Sequence, residues 1–207
     1  PGALADPVGH RGHGEQAVNH CLTPRPLIGG TAALRSVTPQ VTAPSADVLG
    51  EPGKALYAML PTLNNERIMV GAQCLGAIDG VLEDALDYMK QRKAFGGIIG
   101  RFQILQHYVA DIATSQKLTE LLLYNVAWMQ AQGMPCGNEA NMLKMVATEA
   151  AVKAADLGIQ ILGGMGYSAE TDMQRYWRDH RILRMTPISN EMVRNSIAEN
   201  LGLPRSF

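Results

Sequence analysis

Residues 104–129 read ILQHYVADIATSQKLTELLLYNVAWM, and this run decides the fold. Ile104, Leu105, Tyr108, Val109, Ile112, Leu118, Leu121, Leu122, Val126 and Met129 recur at three- and four-residue steps. That spacing gathers side chains on one face of an α-helix. Gly133 and Pro135 stand just beyond, where a helix C-terminus is expected. Upstream, from Ala55, the same periodicity runs through Leu56, Met59, Leu60, Leu63, Ile68, Val70, Leu75, Ile78, Leu82, Leu86 and Met89, until Gly96, Gly97 and Gly100 break it. Downstream, Met142, Met145, Val146, Glu149, Ala150, Val152, Ala154, Leu157 and Ile161 form a third run, closed by Gly163, Gly164 and Gly166. Two shorter helices are expected over about Met173–Met185 and Asn190–Leu201. Three helices of about 25–30 residues, each about 40 Å long and joined by short turns, predict an all-α, antiparallel up-and-down bundle.

Residues 1–47 have another texture. Pro1, Gly2, Pro7, Gly12, Gly14, Pro24, Pro26, Gly29, Gly30, Pro39 and Pro44 punctuate them. Proline removes a backbone donor and glycine raises the entropic cost of order, so long helices are excluded there. Ala32–Val37 and Gln40–Thr42 are short strand candidates. An irregular segment, loops with a hairpin at most, is expected to precede the bundle. His10, His13 and His20 fall here at spacings that suit no helical metal site, and read as solvated loop histidines.

Composition narrows the function classes. The chain has 207 residues, 46% hydrophobic and 18% charged, with a formal net charge of −1. That length sustains a hydrophobic core, and the near-neutral balance argues against a dedicated nucleic-acid binder. No apolar run is long enough for a membrane span, and no secretory leader opens the sequence. Cys21, Cys74 and Cys136 are odd in number and lack a CxxC pair, so reduced thiols are expected, with neither a disulfide framework nor a metal site. These features together predict a cytoplasmic protein.

Four groups of residues invite chemistry. Arg92-Lys93-Ala94-Phe95-Gly96-Gly97 sits at a helix junction; Arg92 reads either as a solvated C-terminal charge or as a bidentate phosphate clamp. Gly163-Gly164-Met165-Gly166-Tyr167 lets a backbone approach a ligand or a neighbouring helix; it follows a helix, so it is no dinucleotide fingerprint. Asn64-Asn65-Glu66-Arg67 lies near the start of the first apolar stripe. Glu66, one turn from Val70, reads either as an inward carboxylate with base character or as half of an exposed ion pair. Arg178-Asp179-His180-Arg181, followed by Arg184 and Thr186-Pro187, reads as a solvated face or an interface, since nothing supplies a nucleophile elbow.

In order, these elements resemble the C-terminal helical domain of the acyl-CoA dehydrogenases. The resemblance runs from Val48-Leu49-Gly50-Glu51-Pro52-Gly53-Lys54 through Asn65-Glu66-Arg67, Arg92–Gly96, Gln103 and Ala110-Asp111 to Gln160–Tyr167 and Arg178–Ile182. It makes residues 48–207 the helical domain and leaves residues 1–47 as a remnant of a β-domain, with the family's N-terminal domains missing. It implies FAD as cofactor and an acyl-CoA thioester as substrate. A base removes the α-proton while the β-hydrogen leaves as hydride to the flavin.

By motif position, Arg92, Phe95 and Gln103 would contact the FAD of a neighbouring subunit. Gln160, Gly163 and Gly164 would complete that site, and Ser189 and Glu191 stand where the family's Thr and its partner touch the flavin. Arg67 and Asn64 would face the acyl-CoA. Many members carry the base in a Glu-Gly-Thr motif, which is Pro187-Ile188-Ser189 here. A minority, of isovaleryl and long-chain type, carry it on the first helix immediately before the Arg, which is Glu66. Pro187 also lacks the N–H that the family turns toward the thioester oxygen. The resemblance further implies a homo-oligomer, dimer or tetramer, or a heteromer, with an electron-transfer flavoprotein or oxygen as acceptor. The alternative is a non-catalytic helical scaffold or heteromer subunit that retains the bundle.

Overall fold

The computed structural model describes residues 16–26, 32–43, 50–51 and 54–205. His10, His13 and part of the Val48–Lys54 motif lie outside the described residues. The chain divides into two units, residues 1–59 and 60–207.

In the first unit, β1 (Gln16–Pro26) pairs antiparallel with β2 (Ala32–Ala43). His20 stands opposite Thr38 and Pro24 opposite Leu34, with an irregularity between Val18 and His20. The two strand candidates on either side of Pro39 are thus one strand. The irregular register falls opposite Pro39, where a residue without an N–H does least damage to a ladder.

The second unit is helical. α1 (Ala55–Gln91) reaches it from the first and is about 55 Å long at 1.5 Å per residue. The two-residue strands β3 (Lys93–Ala94) and β4 (Gly97–Ile98) and a 3-10 turn at Ile99–Arg101 then reverse the chain. α2 (Gln103–Ala131), α3 (Gly137–Leu162), the single turn α4 (Gly164–Tyr167), α5 (Met173–Arg181) and α6 (Asn190–Asn200) follow. A second 3-10 turn, Ile182–Arg184, extends α5, so the helix expected to continue to Met185 tightens after Arg181.

Side-chain contacts give the directions. Gln116 on α2 donates to Asp79 on α1, and Val109 and Ala110 share a hollow with Leu86 and Met89, so these helices are antiparallel. On α3, Leu143 sits against Gly71 and Gly158 against Val81, which makes α1 and α3 parallel. Asn138 bonds Asn200, and Glu149 meets Arg194, so α6 runs back along α3. Up-and-down packing is what the sequence led us to expect.

The core departs from the expected stripes on all three long helices: Met59 of α1 and Ile104, Leu118 and Leu121 of α2 are exposed, and the departure is widest on α3. On α3 the buried residues are Ala140, Asn141, Leu143, Lys144, Ala147, Thr148, Ala151, Ala154, Ala155, Gly158, Ile161 and Leu162. Met142, Met145 and Val146, read from the sequence as core, are only half-buried. α3 is the shared neighbour of α1, α2, α5 and α6, and close approach on several sides favours small residues over large ones. Gly158 shows the tolerance: a Cβ there would lie 2.3 Å from Met173 Sδ and 3.0 Å from Val81 Cγ1.

Candidate flavin and acyl-CoA site

The residues singled out above fall into two groups at opposite ends of the bundle. Since Val81 sits beside Gly158 and α1 parallels α3, Arg92 and Gly163 both lie beyond that level on the same side. Glu66 lies fifteen positions before Val81, about 22 Å the other way along the helix axis.

At the first end, α1 stops at Gln91 and the β3–β4 hairpin turns through Phe95 and Gly96, both at positive φ (52° and 80°). Phe95 pays about 1–2 kcal/mol for that conformation. Arg101 donates to its carbonyl oxygen, and its ring meets Phe102 edge-on with centroids 6.1 Å apart. The turn holds the Phe95 ring outward, 87% exposed. Arg92 and Gln103 are also exposed, and the Arg92 carbonyl accepts from Ile99 N–H at 2.9 Å. Between α1 and α2 at this end lies an apolar hollow of about 360 Å³, lined by Leu86, Met89, Ile98, Val109, Ala110 and Ala113.

The end of α3 belongs to the same side. Gln160, Gly163 and Gly164 are exposed. Gly163 takes φ 61°, ψ −135° while its N–H closes the helix onto Ile159 O, a conformation open mainly to glycine. Nothing lies within 4 Å of a Cβ placed on Gly163 or Gly164, so this backbone is accessible. No hydrogen bond or ion pair among the described residues ties Arg92 or Gln103 to Gln160 or Gly163.

The other end is closed. Arg67 is buried, 8% exposed, and its Nη1 donates to Asn64 Oδ1 at 2.9 Å. Its Nε has no hydrogen-bond partner. Burial pushes the guanidinium below its ordinary range, and the adjacent Glu66 carboxylate pushes it back. Glu66 itself is exposed. The inward orientation read from its distance to Val70 is corrected here: successive helix positions diverge by about 100°, and the inward one belongs to Arg67.

Ser189 and Glu191 open α6. The Ser189 hydroxyl caps the helix by accepting from Met192 N–H at 3.3 Å. Glu191 is exposed, and hydrogen bonds from its own N–H and from Ser189 hold its carboxyl below the usual range. Pro187, cis to Thr186 and exposed, supplies no donor.

Sequence reasoning passed over the residue that links these pieces. Lys144 of α3 is completely buried and donates to Ile188 O (2.6 Å), Asn190 Oδ1 (2.7 Å) and Arg184 O (3.4 Å). Burial draws its ammonium from an ordinary 10.5 down to about 8, with Cys74 and Glu191 acting upward and Arg67 and Arg184 downward. Arg67 from α1 and Glu191 from α6 therefore share one electrostatic neighbourhood. The available signal was a lysine inside Met142-Leu143-Lys144-Met145-Val146-Ala147, at the position where Ala140 and Ala147 mark the buried face.

The model of the acyl-CoA dehydrogenase C-terminal domain matches residues 53–202. An acyl-CoA dehydrogenase of Bacillus subtilis is 38% identical over 158 residues, 76% of this chain and 42% of that protein. Butyryl-CoA dehydrogenase of Megasphaera elsdenii superposes with a TM-score of 0.82 at 31% identity, over 87% of this chain and 48% of that one. A chain from the structure of the electron transferring flavoprotein of Acidaminococcus fermentans gives a TM-score of 0.81 at 28% identity, over 94% and 50%. The chain thus spans half or less of the length of these relatives. It belongs to the acyl-CoA dehydrogenase family, through that family's C-terminal helical domain.

Proposed function

We propose that this chain is the helical part of an FAD-dependent acyl-CoA dehydrogenase that desaturates the α,β-bond of an acyl-CoA thioester. One observation carries the reading: a bundle of the family's fold presents the family's motifs in order. Arg92, Phe95, Gln103, Gln160, Gly163 and Gly164 would hold the FAD of a neighbouring subunit. They suit it: the exposed guanidinium is a fork for pyrophosphate, the open glycine backbone allows close approach, and the exposed Phe95 ring offers a face to a flat ring system. Ser189 and Glu191 would meet the cofactor from the start of α6.

FAD, when bound, supplies the acceptor for the β-hydride. Glu66 takes the α-proton, which the thioester carbonyl makes acidic. An exposed carboxylate is a poor base for a carbon acid until ligand covers it and displaces water, so Glu66 acts in the substrate complex. Arg67, buried and held by Asn64, would meet the acyl-CoA from the inward side of the same turn, where its Nε has no partner. A second copy of the chain would pack on the outward stripe of α2, where Leu118, Leu121, Tyr124 and Trp128 are exposed at helical spacing, and large apolar patches mark interaction surfaces. An electron-transfer flavoprotein would take the electrons onward.

The exposure of Glu66 and the missing N–H of Pro187 favour a second reading, a non-catalytic scaffold or heteromer subunit. Anaerobic titration with an acyl-CoA separates the two. The enzyme reading predicts a yellow protein whose visible flavin absorbance bleaches as acyl-CoA is added. Protein that takes up no FAD, or whose flavin stays oxidised under substrate, supports the scaffold.

A further inference from the structure

Between the 3-10 turn at Ile182–Arg184 and the start of α6, residues 185–189 have no regular secondary structure. Among the described residues, the backbone bonds donated within this stretch are those of Met185 and Thr186 to Ile182 O. Pro187 has no N–H to give. The stretch nevertheless turns two carbonyl groups, Arg184 O and Ile188 O, toward the interior of the bundle, where Lys144 Nζ meets them. The third acceptor, Asn190 Oδ1, is the side chain of the first residue of α6.

These three partners are all neutral oxygens. An ammonium carries three donors and no acceptor, so one lysine satisfies three converging oxygens that two-donor amides could not. Asn190 is fixed in turn: its Nδ2 donates to Thr148 Oγ1 at 3.0 Å and to Glu149 Oε1 at 3.3 Å. Glu149 also binds Arg194, one turn along α6. The buried charge has no carboxylate among its hydrogen-bond partners. Polar carbonyls of the chain solvate it, and the chain folds around it.

We propose that Lys144 is a positioning residue that fixes the 184–190 segment on α3. This also sets where Ser189 and Glu191 meet the cofactor, a consequence that rests on the flavin reading above. Lys144 touches neither reacting group; it acts through the segment it holds.

The test compares wild type with Lys144→Met, which keeps the aliphatic length and removes the donors, in the protein as purified and after loading with FAD. Hydrogen exchange at Met185 and Thr186, the bonded amides of the segment, is expected to speed up about ten-fold or more, the loss of charge-assisted bonds, while α1 and α2 amides keep their protection. The dissociation constant for FAD is expected to rise about ten-fold in parallel. If Lys144→Met does not fold, Asn190→Ser and Asn190→Leu give the same contrast. Serine keeps a neutral oxygen acceptor at the start of α6 and should disturb the segment less, whereas leucine should release it.

Unchanged exchange at Met185 and Thr186 overturns the proposal, and so does exchange that rises equally in every helix. Local loosening with unchanged FAD affinity removes the positioning role. A wild-type protein that binds no FAD counts against the flavin reading alone, because the exchange contrast still stands or falls by itself.

Discussion

The two ends of the bundle are organised differently. Around Lys144 and Asn190, polar groups from α3, α6 and the segment between α5 and α6 are buried and bonded to one another before any ligand arrives, and beside them Arg67 is buried and bonds Asn64 within α1. Around Arg92, Phe95, Gln103 and Gly163, comparable groups are exposed and untied, and local backbone geometry alone sets them in place. Buried charge must be satisfied largely by the chain itself, so folding completes the Lys144 network and leaves Arg67 Nε unpartnered beside it. The second end has only its turns and a helix terminus, and a ligand must supply the missing contacts. Substitutions in the buried network should therefore register in stability as well as in affinity, and those at the open end in affinity alone.

The largest break in that contrast is expected from Asn190→Ala, which leaves Lys144 short of an acceptor within a buried network. Urea unfolding should show a loss of about 2–3 kcal/mol, the usual cost of a hydrogen bond to a buried charge. A loss below the scatter of exposed substitutions would mean that the closed end is not closed in solution. Next comes Arg92→Gln at the open end. An exposed substitution should leave stability within about 0.5 kcal/mol, while removal of a bidentate phosphate donor weakens FAD binding about ten-fold. Fluorescence titration of flavin against the unfolding midpoint reads both halves at once, and an affinity equal to wild type would take Arg92 out of the site.

A subtler difference is a pH dependence. The ammonium of Lys144 titrates near 8 in the folded chain and near 10.5 when unfolded. Below pH 8 both states carry the proton, and the burial penalty is present in full. Between the two values the folded chain has released it and the unfolded chain has not, so stability rises with pH through that window. The groups facing Lys144 are Arg67 and Cys74 of α1, Arg184 of the turn and Glu191 of α6, with Glu149 one step further away across Asn190. Burial pushes the Cys74 thiol up to about 12, so it stays neutral throughout. Wild type should gain on Lys144→Met from pH 8 to 10 in parallel unfolding curves; a constant gap would show that the lysine titrates normally. The smallest effect is at the thiol: Cys74 should resist alkylation in the folded chain and react only on unfolding.

Periodicity revealed the helices because each has a wet side. α2 shows it in part: Ile112, Leu123 and Val126 are buried, but so is Thr119, while Ile104, Leu118 and Leu121 of the expected stripe are exposed. α3 was harder, since a helix with neighbours on several sides buries alanines, a glycine, Thr148 and even Lys144, and the large apolar residues no longer mark the core. The β3–β4 turn was visible only as a Gly-rich interruption, because two-residue strands leave no period to read. At the site, the residue types at Arg92, Gln103 and Gly163 could be read from motif order. The orientation of Glu66 could not, because one helical step decides whether it or Arg67 faces inward. Lys144 escaped notice since its partners lie forty and more positions away.

The account turns on a proton leaving the carbon next to the thioester for Glu66. Rapid mixing of FAD-loaded protein with an acyl-CoA under anaerobic conditions, wild type beside Glu66→Gln, reads that step in a single turnover. The rate of flavin bleaching should fall by about 10²–10⁴ in the variant, as for loss of a general base, with FAD and acyl-CoA affinities little changed. Bleaching in Glu66→Gln at the wild-type rate would contradict it.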